Sequence, residues 1–232
     1  MLSSKHTQNK SQANAFVVVA LLLWLALVFV LGARGSFVRA PGAWPLPILV
    51  GITAPLLVFL AAFGALQAFR NFVLTVDLRL VTGIQAWRFA GLGFLALYTY
   101  GVLPGLFAWP AGLGDMAIGL TAPWIVLALM RVPSFAASRL FTVWNLLGTL
   151  DLVVAVGMGA LASALATGAA GEITTAPMAR LPLVLIPAYF VPLLVMLHLT
   201  ALFQARWLAV SGHLGKQTSP VAGSQSYARS TA

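Results

Sequence analysis

ANAFVVVALLLWLALVFVLG, residues Ala13 to Gly32, is apolar except for Asn14. About 20 apolar residues are what an α-helix needs to cross the hydrocarbon core of a bilayer. A signal peptide also starts with lysine ahead of an apolar core, and Lys5 and Lys10 stand there. This core is too long for a signal peptide, and no small-x-small cleavage site follows before Arg34, so it reads as a retained span.

Five further stretches repeat the theme, at about 45–69, 86–108, 112–130, 140–161 and 181–204. Of the 232 residues, 61% are hydrophobic and 7% are charged. A water-soluble domain carries about a quarter charged residues, because its surface must be wetted. The fold expected is therefore all-α: a polytopic bundle of six transmembrane helices over 13–207. Residues 1–12 and 208–232 read as disordered tails. The partner this surface demands is the lipid bilayer.

The net charge of +9 could signal nucleic acid. The cations are instead scattered singly, with no basic face or RNA-stacking motif, and nucleic acid is discounted. Their distribution is topological. Lys5, Lys10, Arg70, Arg79, Arg88, Arg131, Arg139, Arg206, Lys216 and Arg229 fall on one side of a six-span chain. Arg34, Arg39 and Arg180 fall on the other. Positive residues resist translocation, so both termini are expected in the cytoplasm.

The polar joint after the second stretch, with Arg70, Asn71, Asp77 and Arg79, suits a short amphipathic helix at the interface. Pro104-Gly105 interrupts the third span near its end. Trp109-Pro110-Ala111-Gly112-Leu113-Gly114-Asp115 reads as a tight turn leading into the fourth.

Gly51-Ile52-Thr53-Ala54-Pro55 is echoed by Gly119-Leu120-Thr121-Ala122-Pro123, and Pro55-Leu56-Leu57-Val58 recurs as Pro192-Leu193-Leu194-Val195. A triplicated two-helix hairpin is one reading; chance in a Leu/Ala/Val/Pro-rich alphabet is the other. Pro55, Pro104, Pro123 and Pro192 are the expected helix breaks, since each lacks an N–H and frees a carbonyl. In lipid such a carbonyl needs a partner, so these positions are expected to face protein.

Ionisable groups inside a span are costly and rank first as functional candidates. Asp151, near the centre of the fifth span, suits a proton or cation site, or a hydrogen bond between helices. His198 in the sixth span and Asn145 in the fifth fall at similar depth, so they can pair if those faces meet. Asp115 opens the fourth span, where an acid complements the helix dipole, with Arg180 as a further partner. Arg88, beside Trp87 at the inner end of the third span, is read as snorkelling to headgroups. The glycines between 91 and 119 suit close helix packing, or a broken or re-entrant backbone from Pro104 to Asp115.

Several chemistries are excluded. No lysine lies within a span, so a retinal Schiff base has no attachment point. Cysteine is absent, which removes thiol redox chemistry and Cys-bound metals. There is no H-E-x-x-H zinc helix and no phosphate-binding Gly-Lys loop. His6 and His213 sit in the tails, leaving His198 without a partner for a bis-histidine haem. No metal site is expected from the residues, the identity of any cofactor is unknown from them, and convergent catalytic groups are lacking.

Arg88-x-x-Gly91-x-x-Phe94-Leu95, followed by Gly101-x-Leu103-Pro104-x-x-Phe107-Ala108-x-Pro110-Ala111-Gly112-x-Gly114-Asp115, resembles a pattern in uncharacterised multi-pass proteins of bacteria. The resemblance spans about 88–119 and implies a bacterial inner-membrane location, with no activity attached. Two functions fit the residues. A small transporter or permease for a proton, a small ion or a mostly apolar solute would use Asp151 and His198. A non-catalytic subunit or assembly factor would use them as interhelical glue, beside a membrane-protein partner or a second copy of itself.

Overall fold

The computed structural model describes residues 2–132 and 134–217. Among them the regular elements are helical: α1 (Leu2–Ala33), α2 (Leu46–Ala65), α3 (Gln67–Thr75), α4 (Leu78–Ile84), α5 (Leu92–Thr99), α6 (Gly105–Arg131), α7 (Arg139–Ala164) and α8 (Val191–Gln217). A 3₁₀ segment, Gln85–Gly91, joins α4 to α5, and a π turn, Ile186–Phe190, leads into α8. Six stretches among the described residues are long and apolar enough to cross a membrane: Ala15–Ala33, Leu46–Ala65, Leu78–Thr99, Gly105–Arg131, Arg139–Ala164 and Ile186–Val210. An even number of crossings returns the chain to the end of the bundle where it began.

The helix ends follow ordinary capping chemistry. Asp77 accepts the Arg79 N–H at 2.8 Å to start α4, and Ser138 accepts the Phe141 N–H at 3.1 Å to start α7. At the end of α2, the Arg70 guanidinium donates to the Phe63 and Gly64 carbonyls at 3.1 and 2.6 Å. It thereby satisfies orphan acceptors where the helix dipole is negative. α3, the short helix expected in this joint, follows at once.

The third and fourth spans differ from the sequence expectation. The turn between them is Tyr100–Pro104, and residues 109–115 are not a turn but part of α6. Gly101 adopts φ +68°, and the N–H groups of Gly101 and Val102 return to the carbonyls of Tyr98 and Leu97. This is the Gly-terminated helix end, with a proline close behind. The third span consequently begins at Leu78, eight residues before its expected start. Arg88 moves from the membrane edge to the middle of the bundle.

The prolines divide. Pro55 and Pro123 lie inside α2 and α6, with Pro110 as a further internal proline. Pro104 precedes α6 rather than breaking a helix. Pro192 is buried behind the π turn. Pro123 faces outward, against the expectation that it faces protein. The carbonyl it frees belongs to Gly119, one turn back, and Gly119 is buried. In the Gly-x-Thr-Ala-Pro echo, Thr53 and Thr121 both donate to the carbonyl four residues earlier.

α1 is helical from Leu2, so the polar residues 2–12 continue it as helix. α8 runs to Gln217, and the remainder of the expected C-terminal tail lies outside the described residues. α1 packs on the π turn through Val28, Val184 and Tyr189, with Trp24 and Tyr189 rings 4.6 Å apart. Between α7 and the last span, the Glu172 carboxylate accepts the N–H groups of Thr167 and Gly168 and the Thr167 hydroxyl. Those hydrogen bonds, led by the Thr167 backbone, hold its pKa below the usual glutamate range.

A buried arginine cluster beneath an apolar cavity

Thr82, Gln85 and Arg88 recur every third residue through the third span. Their neighbours Leu80, Ile84 and Trp87 are exposed where lipid would lie. The polar stripe therefore turns inward, and Arg88 is 2% exposed at the heart of the bundle. Its Nε donates to Asp115 Oδ1 of α6 at 2.7 Å, and its Nη2 donates to Asp151 Oδ2 of α7. Nη1 donates to the Gly148 carbonyl at 3.1 Å and meets His198 Nε2 of α8 at 3.0 Å. Four of the five guanidinium N–H groups are thus used, toward three different helices.

These contacts fix the state of the histidine. A guanidinium only donates, so His198 Nε2 must accept, and the ring proton resides on Nδ1. Nδ1 then donates to Asn145 Oδ1 at 2.9 Å, leaving the Asn145 amide to donate to the Phe141 carbonyl at 2.8 Å. The imidazole is neutral in this arrangement, and the network ends on backbone.

Arg88, Asp115, Asp151, His198 and Asn145 are brought into one connected network. Two sequence-based roles are corrected. Arg88 does not snorkel; it is the hub. Asp115 lies ten residues into α6 and binds Arg88, while Arg180 is exposed and takes no part. Gly148 belongs to the site and was missed, as was the buried Gln85 one turn before Arg88 on the same stripe, which makes no bond to the cluster. The period-three stripe was the available signal for Gln85, whereas nothing in the sequence marks a backbone carbonyl as a ligand.

Small residues make room for the cluster. A Cβ on Gly114 would strike the Asp151 carboxylate, and one on Gly148 would strike the His198 ring. At Gly91 it would meet Asp115, and at Gly119 it would meet the backbone of Arg88 and Phe89. The 3₁₀ segment can therefore lie against α6 at backbone distance. Runs of 3₁₀ helix this long are uncommon and often mark a functional hinge.

Above the cluster, toward the end of the bundle opposite the chain termini, lies a cavity of about 130 Å³. Its walls are largely apolar, with Phe37, Ile52, Phe94, Phe107, Leu152 and Met178 among them, and it reaches Asp115. An apolar cavity of about this size holds one benzene-sized molecule. Asp115 and Asp151 keep 16% and 14% of their side chains exposed, against 1% for the Arg88 side chain. The carboxylates are the accessible members of the set.

Fold and site together define a multi-pass α-helical membrane protein built around an internal ion cluster. The chain belongs to a family described as a domain of unknown function (DUF8737), whose model matches residues 45–206. The match takes in every residue of the cluster and leaves out α1. No curated protein and no solved structure matches the chain.

Proposed function

We propose that the protein is a small transporter in which proton uptake at the Arg88 cluster drives the passage of a small, mostly apolar solute. The observation that carries this reading is the meeting of an apolar cavity with Asp115, one of two carboxylates held by a single guanidinium. With both acids ionised the charges sum to −1 (+1 from Arg88, −2 from the acids), and His198 adds none. A net charge in a low-dielectric interior is unfavourable, and one proton removes it. A site that balances by taking up one proton beside a solute-sized cavity has the parts of a proton-coupled carrier.

The setting proposed is a bacterial inner membrane with both chain ends in the cytoplasm. With Arg88 assigned to the interior, nine Lys and Arg remain on the side of the chain ends against three on the other. Lipid covers the outer faces, and a second copy of the chain or another membrane protein is compatible with them.

Asp151→Asn separates transport from structural glue. The variant leaves Arg88 with one carboxylate, a balanced pair, and its amide oxygen still accepts from Nη2. It is expected to reach wild-type levels in the membrane and yet, under conditions where the wild-type protein dissipates an imposed pH gradient, to do so no faster than empty liposomes. A variant that folds and still passes protons would refute the carrier reading. Loss of the variant from the membrane, or a stoichiometric partner retained in mild detergent, would favour the subunit role.

A further inference from the structure

Two buried oxygens lack partners among the described residues: Thr82 Oγ1 and Gln85 Oε1. Both residues are 1% exposed, and both stand on the segment that carries Arg88, on the side toward the chain ends. A helical threonine hydroxyl usually bonds to the carbonyl four residues back, and Thr53, Thr75, Thr121, Thr142 and Thr149 all do so here. Thr82 does not. Gln85 spends its amide on the Leu194 carbonyl of α8 at 3.3 Å, one turn from His198, and keeps its oxygen free. Further toward the chain ends, Gln204 donates to the carbonyls of Val73 and Val76, where α3 meets α4.

An unpaired buried oxygen is costly, and water is the usual remedy where two or more polar groups converge. We propose that water occupies a narrow path along Thr82 and Gln85, from the end of the bundle bearing the chain termini to the Arg88 cluster. The cavity reaches the same cluster from the opposite end through Asp115. The cluster is then approached by solute from one face and by water from the other. The charged and titratable groups facing it are Arg88 from the 3₁₀ segment, Asp115 from α6, Asp151 from α7 and His198 from α8. As a proton route the path rests on the carrier reading above; as a hydrated path it can be tested without it.

The chain contains no cysteine, so single substitutions report cleanly. Thr82→Cys, Gln85→Cys and Val81→Cys would be made in the full-length protein in membrane vesicles. Each would be treated with a 2-aminoethyl methanethiosulfonate reagent added on the side of the chain ends. Val81 is as buried as its neighbours but sits in the apolar core. Only a hydrated thiol ionises and reacts, so the Thr82→Cys and Gln85→Cys variants are expected to label about tenfold faster than Val81→Cys, or more. Equal, slow labelling of all three would overturn the path. Should Gln85→Cys misfold, the near-isosteric Thr82→Cys decides alone. Fast labelling in a protein that passes no protons would leave the path standing and remove the carrier function.

Discussion

Arg88→Met is expected to prevent the protein from accumulating in a folded state. The substitution strands the Asp115 and Asp151 carboxylates in the bundle interior, where Arg88 is their one ion-pair partner among the described residues. Removing one partner of a buried ion pair costs about 3–5 kcal/mol, and a domain's whole margin is only about 5–15 kcal/mol. Arg88→Lys should fare little better. A single ammonium cannot reach two carboxylates, a carbonyl and an imidazole at once, since the planar fork does that work. Size-exclusion profiles and thermal unfolding of the purified variants in detergent measure the loss. The triple variant Arg88→Met, Asp115→Asn, Asp151→Asn is expected to recover much of the fold, because a neutral interior replaces an unbalanced one. An Arg88→Met protein as stable as wild type would show that the guanidinium is dispensable.

The second large effect is expected at a residue with no side chain. Gly119→Ala would press its Cβ into the backbone of Arg88 and Phe89, with the Arg88 carbonyl carbon 2.8 Å away. Backbone cannot swing aside as a flexible side chain can, so the 3₁₀ segment must move and carry Arg88 off its partners. Overpacking costs about 1–3 kcal/mol in a well-packed core, and misplacing the hub adds to that. Gly157→Ala in α7 is the control, since nothing lies within 4 Å of a Cβ there. It should raise the melting temperature slightly, as Gly→Ala does within a helix. Similar shifts for both variants would mean that close approach at Gly119 is unimportant.

The membrane bundle itself was legible from length and apolarity alone, because hydrocarbon thickness dictates span length and lipid tolerates few charges. Asp151 was readable for the same reason. An acid amid apolar residues has to be inside a span, wherever that span begins. Arg88 was misjudged because polar residues at 77, 79, 82, 85 and 88 look like one continuous joint. The spacing tells otherwise: Thr82, Gln85 and Arg88 share a face while Leu80, Ile84 and Trp87 share the opposite one. A span can thus start polar on the side that meets protein. Asp115 was misplaced by the same shift, since reading residues 109–115 as a turn put it at a helix start. Gly101-x-x-Pro104 carried the helix-end signal, but the denser Pro/Gly run after it drew the start of the turn nine residues too late, to Trp109 in place of Tyr100. The cavity was not legible, because it is bounded by segments far apart in the chain. Phe37, Ile52, Phe107 and Met178 meet only once the helices are packed.

The site can be interrogated without knowing the solute. Acid-minus-base infrared difference spectra of the purified full-length protein report carboxylic acid groups directly. If Arg88 holds two carboxylates that share one proton, the cluster should contribute one carboxylic acid band on acidification, beside those of Asp77 and Glu172. The cluster's band should vanish in Asp115→Asn and in Asp151→Asn alike, since each variant leaves one ionised acid balanced by the guanidinium. A wild-type spectrum in which no band is lost in both variants would mean that the cluster binds no proton.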